Sequence, residues 1–566
     1  MQSKNYGDFC YLLDGPPGTG KTKTMCEIVA QLGIDTNFHG SILLCAPSNP
    51  AADTLALRLR TYFEPTSLLR LNDFSRTFAE VPQELLSYCY IKDDLFNLPP
   101  LSMLMGYKVV VTTCQAADIL VQARVTNRDL TSLQDNMISI LNPEVNAARA
   151  PLHWAGLLID EAAQATEPEN LIPLTVVSPP TLHPRHECPL FVMAGDEHQL
   201  NPRTYSDSTT LHISLFERLS NTAMYASHPL ARKTLRRTPH YPMLRPPFVN
   251  LVRNYRSHPA ILAVPSSMFY GNTLIPEASN INSLLSWSVW RGRRWPVLFA
   301  CNGGTDDCDD IRGVGGGWHN KREANKAIAY ARDLVDQAIV SDQSEICIMS
   351  PFLAQVHLLR RLARQSKLWG VNIGPMEAFQ GLESRIVIVC TTRARRRFLD
   401  VDKLRGIGLI KQKKKFNVAI TRAKEGLIVI GNPWVLATDP CWLTFMQYCR
   451  RSSLWQDEDP AFRAQDFEEA TVNEWRPPCD SSTVSGLEAA LVFKEREEQE
   501  GSQAARRFMN GTDGAEEAFW RSGLEAEAAL DLSGLDISTY TTDYSNGEPY
   551  DEGNFTVAAS SYTTSQ

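Results

Sequence analysis

Eight consecutive residues, Gly15-Pro16-Pro17-Gly18-Thr19-Gly20-Lys21-Thr22, carry the spacing G-x-x-x-x-G-K-[ST]. Glycines let backbone N–H groups turn inward around phosphate oxygens, and a helix start adds the positive end of its dipole. In that setting Lys21 would reach the β- and γ-phosphates of ATP, and Thr22 would hold Mg²⁺. A glycine turn that only caps a helix is the plainer reading. It weakens as further polar clusters accumulate along the chain.

Asp160-Glu161 closes an apolar run. An Asp there can hold Mg²⁺, and the adjacent Glu can orient and deprotonate a water. Taken alone, the pair also reads as a helix cap with acids in the first turn. Gly195-Asp196 with Gln199 offers an amide able to bond a γ-phosphate or the attacking water. Asn254-Tyr255-Arg256-Ser257-His258-Pro259 sets an aromatic ring beside a guanidinium. The ring suits a base and the arginine a phosphate, while His258 reads as structural. Far along the chain, Phe416–Lys424 supplies Arg422. An arginine from a second domain reaching a γ-phosphate makes hydrolysis depend on domain closure. By itself, Arg422 with Lys424 reads equally well as surface charge.

These residues need elements to hold them. Tyr11–Asp14 is a short apolar run before the glycine loop, and Met25, Ile28, Val29 and Leu32 have helical spacing after it. Ser41–Ala46, Lys108–Cys114, Leu157–Ile159 and Leu190–Ala194 read as further buried strands. Helices are expected after Lys21 and across Asp53–Tyr62. Strand after strand ends in a polar cluster, and open α/β sheets bind ligands outside their carboxyl ends. Ile346–Met349, Ile386–Cys390 and Leu427–Ile430 begin a second set. Lys411–Lys415, between the last two, reads as a solvated basic loop.

Composition sets the bounds. At 43% hydrophobic and 21% charged, the 566-residue chain is globular and long enough for two to four domains. No apolar run approaches a membrane span, and Met1–Gly7 is polar with no secretory core behind it. The 13 cysteines scatter without a C-x-x-C pair, which argues for reduced thiols inside a cell over disulfides or zinc. Net charge is −8, but residues from Gln456 onward hold 24 Asp and Glu against 7 Lys and Arg. The body is therefore basic and the tail acidic, which is compatible with a phosphate-rich partner. The tail is rich in Glu, Ala, Ser, Thr and Gly. It is expected to be disordered, with short helices near 486–499 and 515–530.

The order of these motifs resembles the superfamily-one helicases of the nonsense-mediated-decay type, over about residues 10–455. Within that group the chain looks most similar to the Armitage-like helicases of small-RNA silencing. The finer likeness rests on Leu69-Arg70-Leu71-Asn72 before Arg76-Thr77-Phe78, on Ser283-Leu284-Leu285-Ser286-Trp287, and on Gly431-Asn432-Pro433 followed by Asp439-Pro440-Cys441.

The resemblance implies an α/β chain of two RecA-like parallel-sheet domains in tandem, the P-loop NTPase fold. The first would span 1–250, with insertions at about 63–105 and 116–150 and a linker from about 220. The second would span 251–455, and 456–566 would form the acidic tail. ATP and Mg²⁺ would lie between the domains and single-stranded RNA across their top. Lys21, Glu161, Gln199, Arg256 and Arg422 would be catalytic, and Thr22 and Asp160 would hold the metal. Gly15 through Thr22 would cradle phosphates, with Tyr255 on adenine and Glu383 near the ribose. Ser48, Asn49, Thr112, Thr113, Ser350 and Pro351 would touch the strand, largely its backbone, which suits a motor blind to sequence.

The implied activity is an ATP-dependent RNA helicase or translocase, moving 5′ to 3′ and acting in small-RNA silencing. The implied place is the cytoplasm, including its RNP granules. A DNA helicase of the same superfamily and an RNA-binding scaffold with weak motor activity stay open. Trp475 and Trp520 in the tail could dock into a partner such as Argonaute. Packing back on the body is the plainer reading. The glutamine motif expected upstream of the loop has no counterpart among the fourteen residues before Gly15, and the family's upstream domains are missing too. That implies either a shortened chain or weaker adenine specificity and motor output.

Overall fold

The computed structural model describes residues 10–141, 151–180, 188–202, 204, 210–228, 231–232, 247–279, 281–290, 295–308, 317–379, 382–404 and 406–456. The tail, with Trp475, Trp520 and the two expected helices, lies outside them. So do Gln380, Gly381 and much of the 220–250 stretch.

Two parallel sheets follow one another along the chain. The first contains β1 (Tyr11–Asp14), β2 (Ser41–Ala46), β3 (Leu68–Arg70), β4 (Val109–Thr113), β5 (Trp154–Ile159), β6 (Leu190–Gly195) and β7 (Phe248–Asn250), in the order β3-β4-β2-β5-β6-β1-β7. The second contains β8 (Val297–Cys301), β9 (Ile346–Met349), β10 (Asn372–Gly374), β11 (Ser384–Cys390), β12 (Ala423–Gly431) and β13 (Trp455–Gln456), in the order β10-β9-β11-β12-β8-β13.

The strands read as unbroken apolar runs because both faces are covered. Leu43, Val110, Leu157 and Met193 pack into one core cluster of the first sheet. Leu44, Val111, Leu158 and Ala194, each one residue on, pack into the opposite one. The second sheet divides the same way, with Val387 and Val429 on one face and Ile388 and Ile430 on the other. Parallel neighbours need crossovers. The helices include α1 (Lys21–Ile34), α2 (Asn49–Leu59), α3 (Asn127–Leu141), α4 (Pro259–Phe269), α5 (Lys321–Asp336), α6 (Leu353–Gln365), α7 (Lys413–Ile420) and α8 (Pro440–Arg451).

Two expectations need correction. The 63–105 stretch, read as an insertion, contributes β3 to the sheet edge and a buried ion cluster. Asp53 on α2 accepts from Arg70 Nε at 2.8 Å and Arg76 Nη2 at 2.5 Å, all three nearly inaccessible. Arg70 Nη2 also reaches Asn49 Oδ1 at 3.0 Å. Three charges out of water persist because each is paired, and loss of one partner from such a buried set typically costs about 3–5 kcal/mol. Lys413–Lys415 of the basic run 411–415, read as a solvated loop, instead start α7. Its Lys414 crosses to the first sheet's side, pairing with Glu217 at 2.8 Å and bonding Asn201.

Candidate nucleotide site between the two sheets

β5, β6 and β1 are neighbours, so their carboxyl ends converge. Gly15 N donates to Gly195 O at 3.0 Å. The loop then turns through Gly18 (φ 70°) and Gly20 (φ 82°) into α1. A Cβ on Gly18 would lie 2.5 Å from Arg256 Cβ and 2.7 Å from Asn254 Nδ2, so only glycine fits this cradle. Pro16 and Pro17 are buried, and Thr19 Oγ1 closes the turn on Pro16 O at 2.7 Å. Lys21 folds its stem over Gly15. Its Nζ lies 2.7 Å from Gly15 O and 3.7 Å from Glu161 Oε1.

Asp160 is buried and bonded by the Thr22 hydroxyl. Burial, with Glu161 beside it, pushes its carboxyl up to about 6. Glu161 sits at φ 49°, in the left-handed region, where a non-glycine residue is uncommon. That turn brings two successive carboxylates to one side of the strand end. Asp196 anchors the next loop, accepting from Gln199 Nε2 and Tyr270 OH, both at 2.8 Å.

The second sheet closes the site. Arg422, buried at the start of β12, donates from Nη2 to Gln199 Oε1 at 3.1 Å and from Nη1 to Leu382 O at 3.2 Å. Its Nε is buried without a partner among the described residues. Burial and the nearby Arg256 lower Arg422 to about 10, so it keeps its charge at neutral pH. Arg256 pairs with Glu383 and donates to Thr421 O at 3.3 Å. Burial alone would raise Glu383, but Arg256 and Lys424 hold it down at about 2.

Between the sheets runs 254–258. Asn254 Nδ2 donates to Pro17 O at 2.7 Å and Tyr255 N to Gly18 O at 2.9 Å. Ser257 Oγ donates to Ala423 O at 2.7 Å and His258 N to Lys424 O at 2.8 Å. The Tyr255 ring is half exposed beside the glycine loop. His258 Nδ1 accepts from Ala260 N and caps α4. Lys21, Thr22, Asp160, Glu161, Gln199, Arg256, Glu383 and Arg422 are thus brought together. The donor set fits a nucleoside triphosphate with Mg²⁺: turned-in N–H groups, an ammonium, guanidiniums, and a carboxylate paired with a hydroxyl.

The six strand-contact expectations divide. Ser48 is exposed and caps α2, Asn49 is half-buried beside it, and Pro351 is half-buried. Thr113 is only slightly exposed, its hydroxyl capping the turn at Ala116 N. Thr112 and Ser350 correct the expectation, because both are inaccessible. Thr112 Oγ1 donates inward to Leu71 O at 3.0 Å, and Ser350 Oγ lies 3.0 Å from Thr392 Oγ1. Side chains alternate along a strand, and at these two ends the polar one faces the interior. Only main-chain groups there can meet a ligand.

Two family models, each described as an AAA domain, match this chain: one over residues 2–83 and 146–207, the other over 211–434. Human RNA helicase Mov10l1 is 31% identical over 487 residues, covering 84% of this chain and 36% of that protein. The chicken putative helicase MOV-10 is 31% identical, covering 85% and 47%. The probable RNA helicase armi of Drosophila melanogaster is 29% identical, covering 78% and 36%. The chain is thus similar to Armitage-type RNA helicases over most of its own length. It spans less than half the length of these relatives.

A second buried carboxylate with a raised pKa lies under the carboxyl edge of the second sheet. Glu323 on α5 accepts Thr392 N on both oxygens, at 2.8 and 3.0 Å, and holds that residue at φ 67°. Burial pushes its carboxyl up from 4.5 to about 8. The folded protein therefore keeps a proton that the unfolded chain has released. Stability from this group is full below the unfolded value and falls as pH rises through about 8, by at most about 1.4 kcal/mol per pH unit. Glu323→Gln is expected to flatten that fall. Urea midpoints at about pH 6 and about pH 9 measure it; an identical pH dependence in both proteins would remove the assignment.

Sequence reasoning overlooked three groups. Asn417 on α7 donates to His198 O at 3.0 Å and to Tyr270 OH at 2.7 Å, joining the two sheets behind Gln199. Tyr270 itself carried no motif. The third is Thr391–Phe398, whose four arginines in five residues were visible as a basic run.

Among the described residues no helix is long and apolar enough to cross a membrane.

Proposed function

We propose that this chain is an ATP-driven motor that moves along single-stranded RNA, 5′ to 3′, and remodels duplexes or RNA–protein complexes. The bond between Arg422 and Gln199 carries the reading, because it brings a guanidinium from the second sheet to the phosphate end of the first. ATP supplies the phosphoanhydride whose cleavage drives movement, and Mg²⁺ would neutralise the negative charge on its phosphates. Lys21 and the loop N–H groups bind phosphate, and Thr22 with Asp160 holds the metal. Glu161 orients and deprotonates the water. Gln199, Arg256 and Arg422 bear on the γ-phosphate. Tyr255 stacks on adenine, and Glu383 adjoins the ribose. Hydrolysis then requires both lobes, 1–250 and 251–455, to close on one nucleotide.

The named RNA helicases among its relatives favour RNA over DNA as the track, with Ser48, Asn49, Thr113, Pro351 and the main chain at Thr112 and Ser350 along its path. ATP hydrolysis measured with matched RNA and DNA strands tests this. Stimulation by RNA alone is expected. Equal stimulation by DNA would move the substrate to DNA, and RNA binding without hydrolysis would make the chain a scaffold.

We place its work in small-RNA silencing in the cytoplasm and its RNP granules. The acidic tail would be a contact for Argonaute through Trp475 and Trp520. Trp475→Ala with Trp520→Ala is expected to weaken Argonaute pull-down severalfold; an undiminished pull-down would end that part.

A further inference from the structure

We propose that Arg396 and Arg397 form a phosphate clamp for single-stranded RNA at the carboxyl edge of the second sheet, on residues given no role above. The inference rests on the proposed RNA motor.

The chain leaves β11 at Cys390 and crosses the sheet's carboxyl edge as Thr391–Phe398. Its first arginines are already satisfied. Arg393 is buried, gripping Asp402 with Nε and Nη2, each at 2.6 Å, and reaching Asp306 Oδ2 at 3.1 Å. Its guanidinium lies 4.4 Å from the Trp318 ring centre and 4.8 Å from that of Phe352. Arg395 takes the other oxygen of Asp306 at 2.8 Å. Two acids thus cancel two arginines.

The next two arginines are left over. Arg396 and Arg397 are exposed and meet no carboxylate among the described residues. Yet neither swings freely. Arg396 donates from Nε and Nη2 to Trp434 O at 3.2 and 2.9 Å. Arg397 rests on the Phe398 ring at 4.5 Å, and that ring packs on Trp318 at 4.4 Å. A carbonyl and a ring face restrain a guanidinium without neutralising it. Less side-chain entropy is then lost on binding, and the full charge remains for a ligand.

A guanidinium fork matches the oxygens of a phosphodiester. Two adjacent uncancelled forks suit a polyanion that presents phosphates at regular spacing. The run is continuous with the Ser350–Pro351 edge, because Thr392 bonds Ser350 and Arg393 lies over Phe352. An RNA strand following that edge meets the clamp next.

The test uses the full chain and a fluorescent oligouridine of about 20 nucleotides, titrated from low to high salt. For single strands each lost phosphate contact lowers the slope of log K against log salt by about 0.7. Arg396→Ala with Arg397→Ala should therefore lower it by about 1.4, and weaken binding roughly 25-fold near 0.1 M salt if affinities coincide near 1 M. Arg396→Lys with Arg397→Lys should recover most of the slope. Both variants should melt with the parent protein, since these side chains are exposed.

An alanine variant with the parent's slope and affinity overturns the clamp. So does one that keeps RNA binding while losing binding to polyglutamate, which would assign the face to an acidic protein. A parent chain that binds no RNA at all removes the proposed RNA motor first, and the clamp with it.

Discussion

Arg422→Ala is expected to lower RNA-stimulated turnover of ATP by about 10³- to 10⁵-fold, the range for loss of a γ-phosphate arginine. Nucleotide affinity should change far less, because the glycine loop, Lys21 and Tyr255 stay in place. Arg422 is 2% exposed, so the charge it brings acts where water is largely excluded. Its Nη atoms are used by Gln199 and Leu382, while Nε is left for a further acceptor. Arg422→Lys should recover little, since an ammonium lacks the planar fork that reaches Gln199 and Leu382 from separate nitrogens. Truncation also strips Gln199 Oε1 of its donor, at about 1–3 kcal/mol. Steady-state turnover must therefore be read beside a melting curve and the affinity for a non-hydrolysable nucleotide. Turnover within tenfold of the parent would take the second sheet out of the chemistry.

Lys21→Ala should bring RNA-stimulated hydrolysis to background, a loss of at least about 10²- to 10³-fold. Here nucleotide binding should fall with turnover, because Lys21 is the ammonium nearest the glycine loop. Its Nζ sits between Gly15 O and Glu161 Oε1, within one residue of the Asp160–Thr22 pair. Alanine also uncovers Gly15, which the lysine stem shields. The variant's melting midpoint should shift by only a few degrees. A folded Lys21→Ala protein that still hydrolyses ATP in response to RNA would refute the site assignment.

The main strands were legible in the sequence because parallel strands covered on both faces need apolar runs, and each run stopped at a polar cluster. Short edge strands were not. Asn372–Gly374 and Leu68–Arg70 are three residues each, too brief for any periodicity, and the second carries an arginine that only Asp53 makes tolerable. Thr112 and Ser350 show a different limit. Their positions at strand ends were readable, but the inward turn of their hydroxyls depends on Leu71 and Thr392, which lie apart in sequence. Arg422 with Gln199 and Asn254 with Pro17 are separated by 223 and 237 residues. Local pattern fixes neither pair, and the motif order anticipated only that the lobes would meet. The α7 lysines were misread because sequence alone shows no acid near them, whereas Glu217 arrives from the other lobe.

The five residues 254–258 are stitched to the phosphate loop at one end and to the first residues of β12 at the other. They act as the spine of a book whose covers are the two sheets. A spine placed at the candidate nucleotide site, not behind it, would let the covers swing about a bound ligand itself. Small adjustments of the loop are then geared up with distance, so the outer strands travel farthest. In the proposed motor, leverage of this kind would turn a sub-ångström event at a phosphate into a stride.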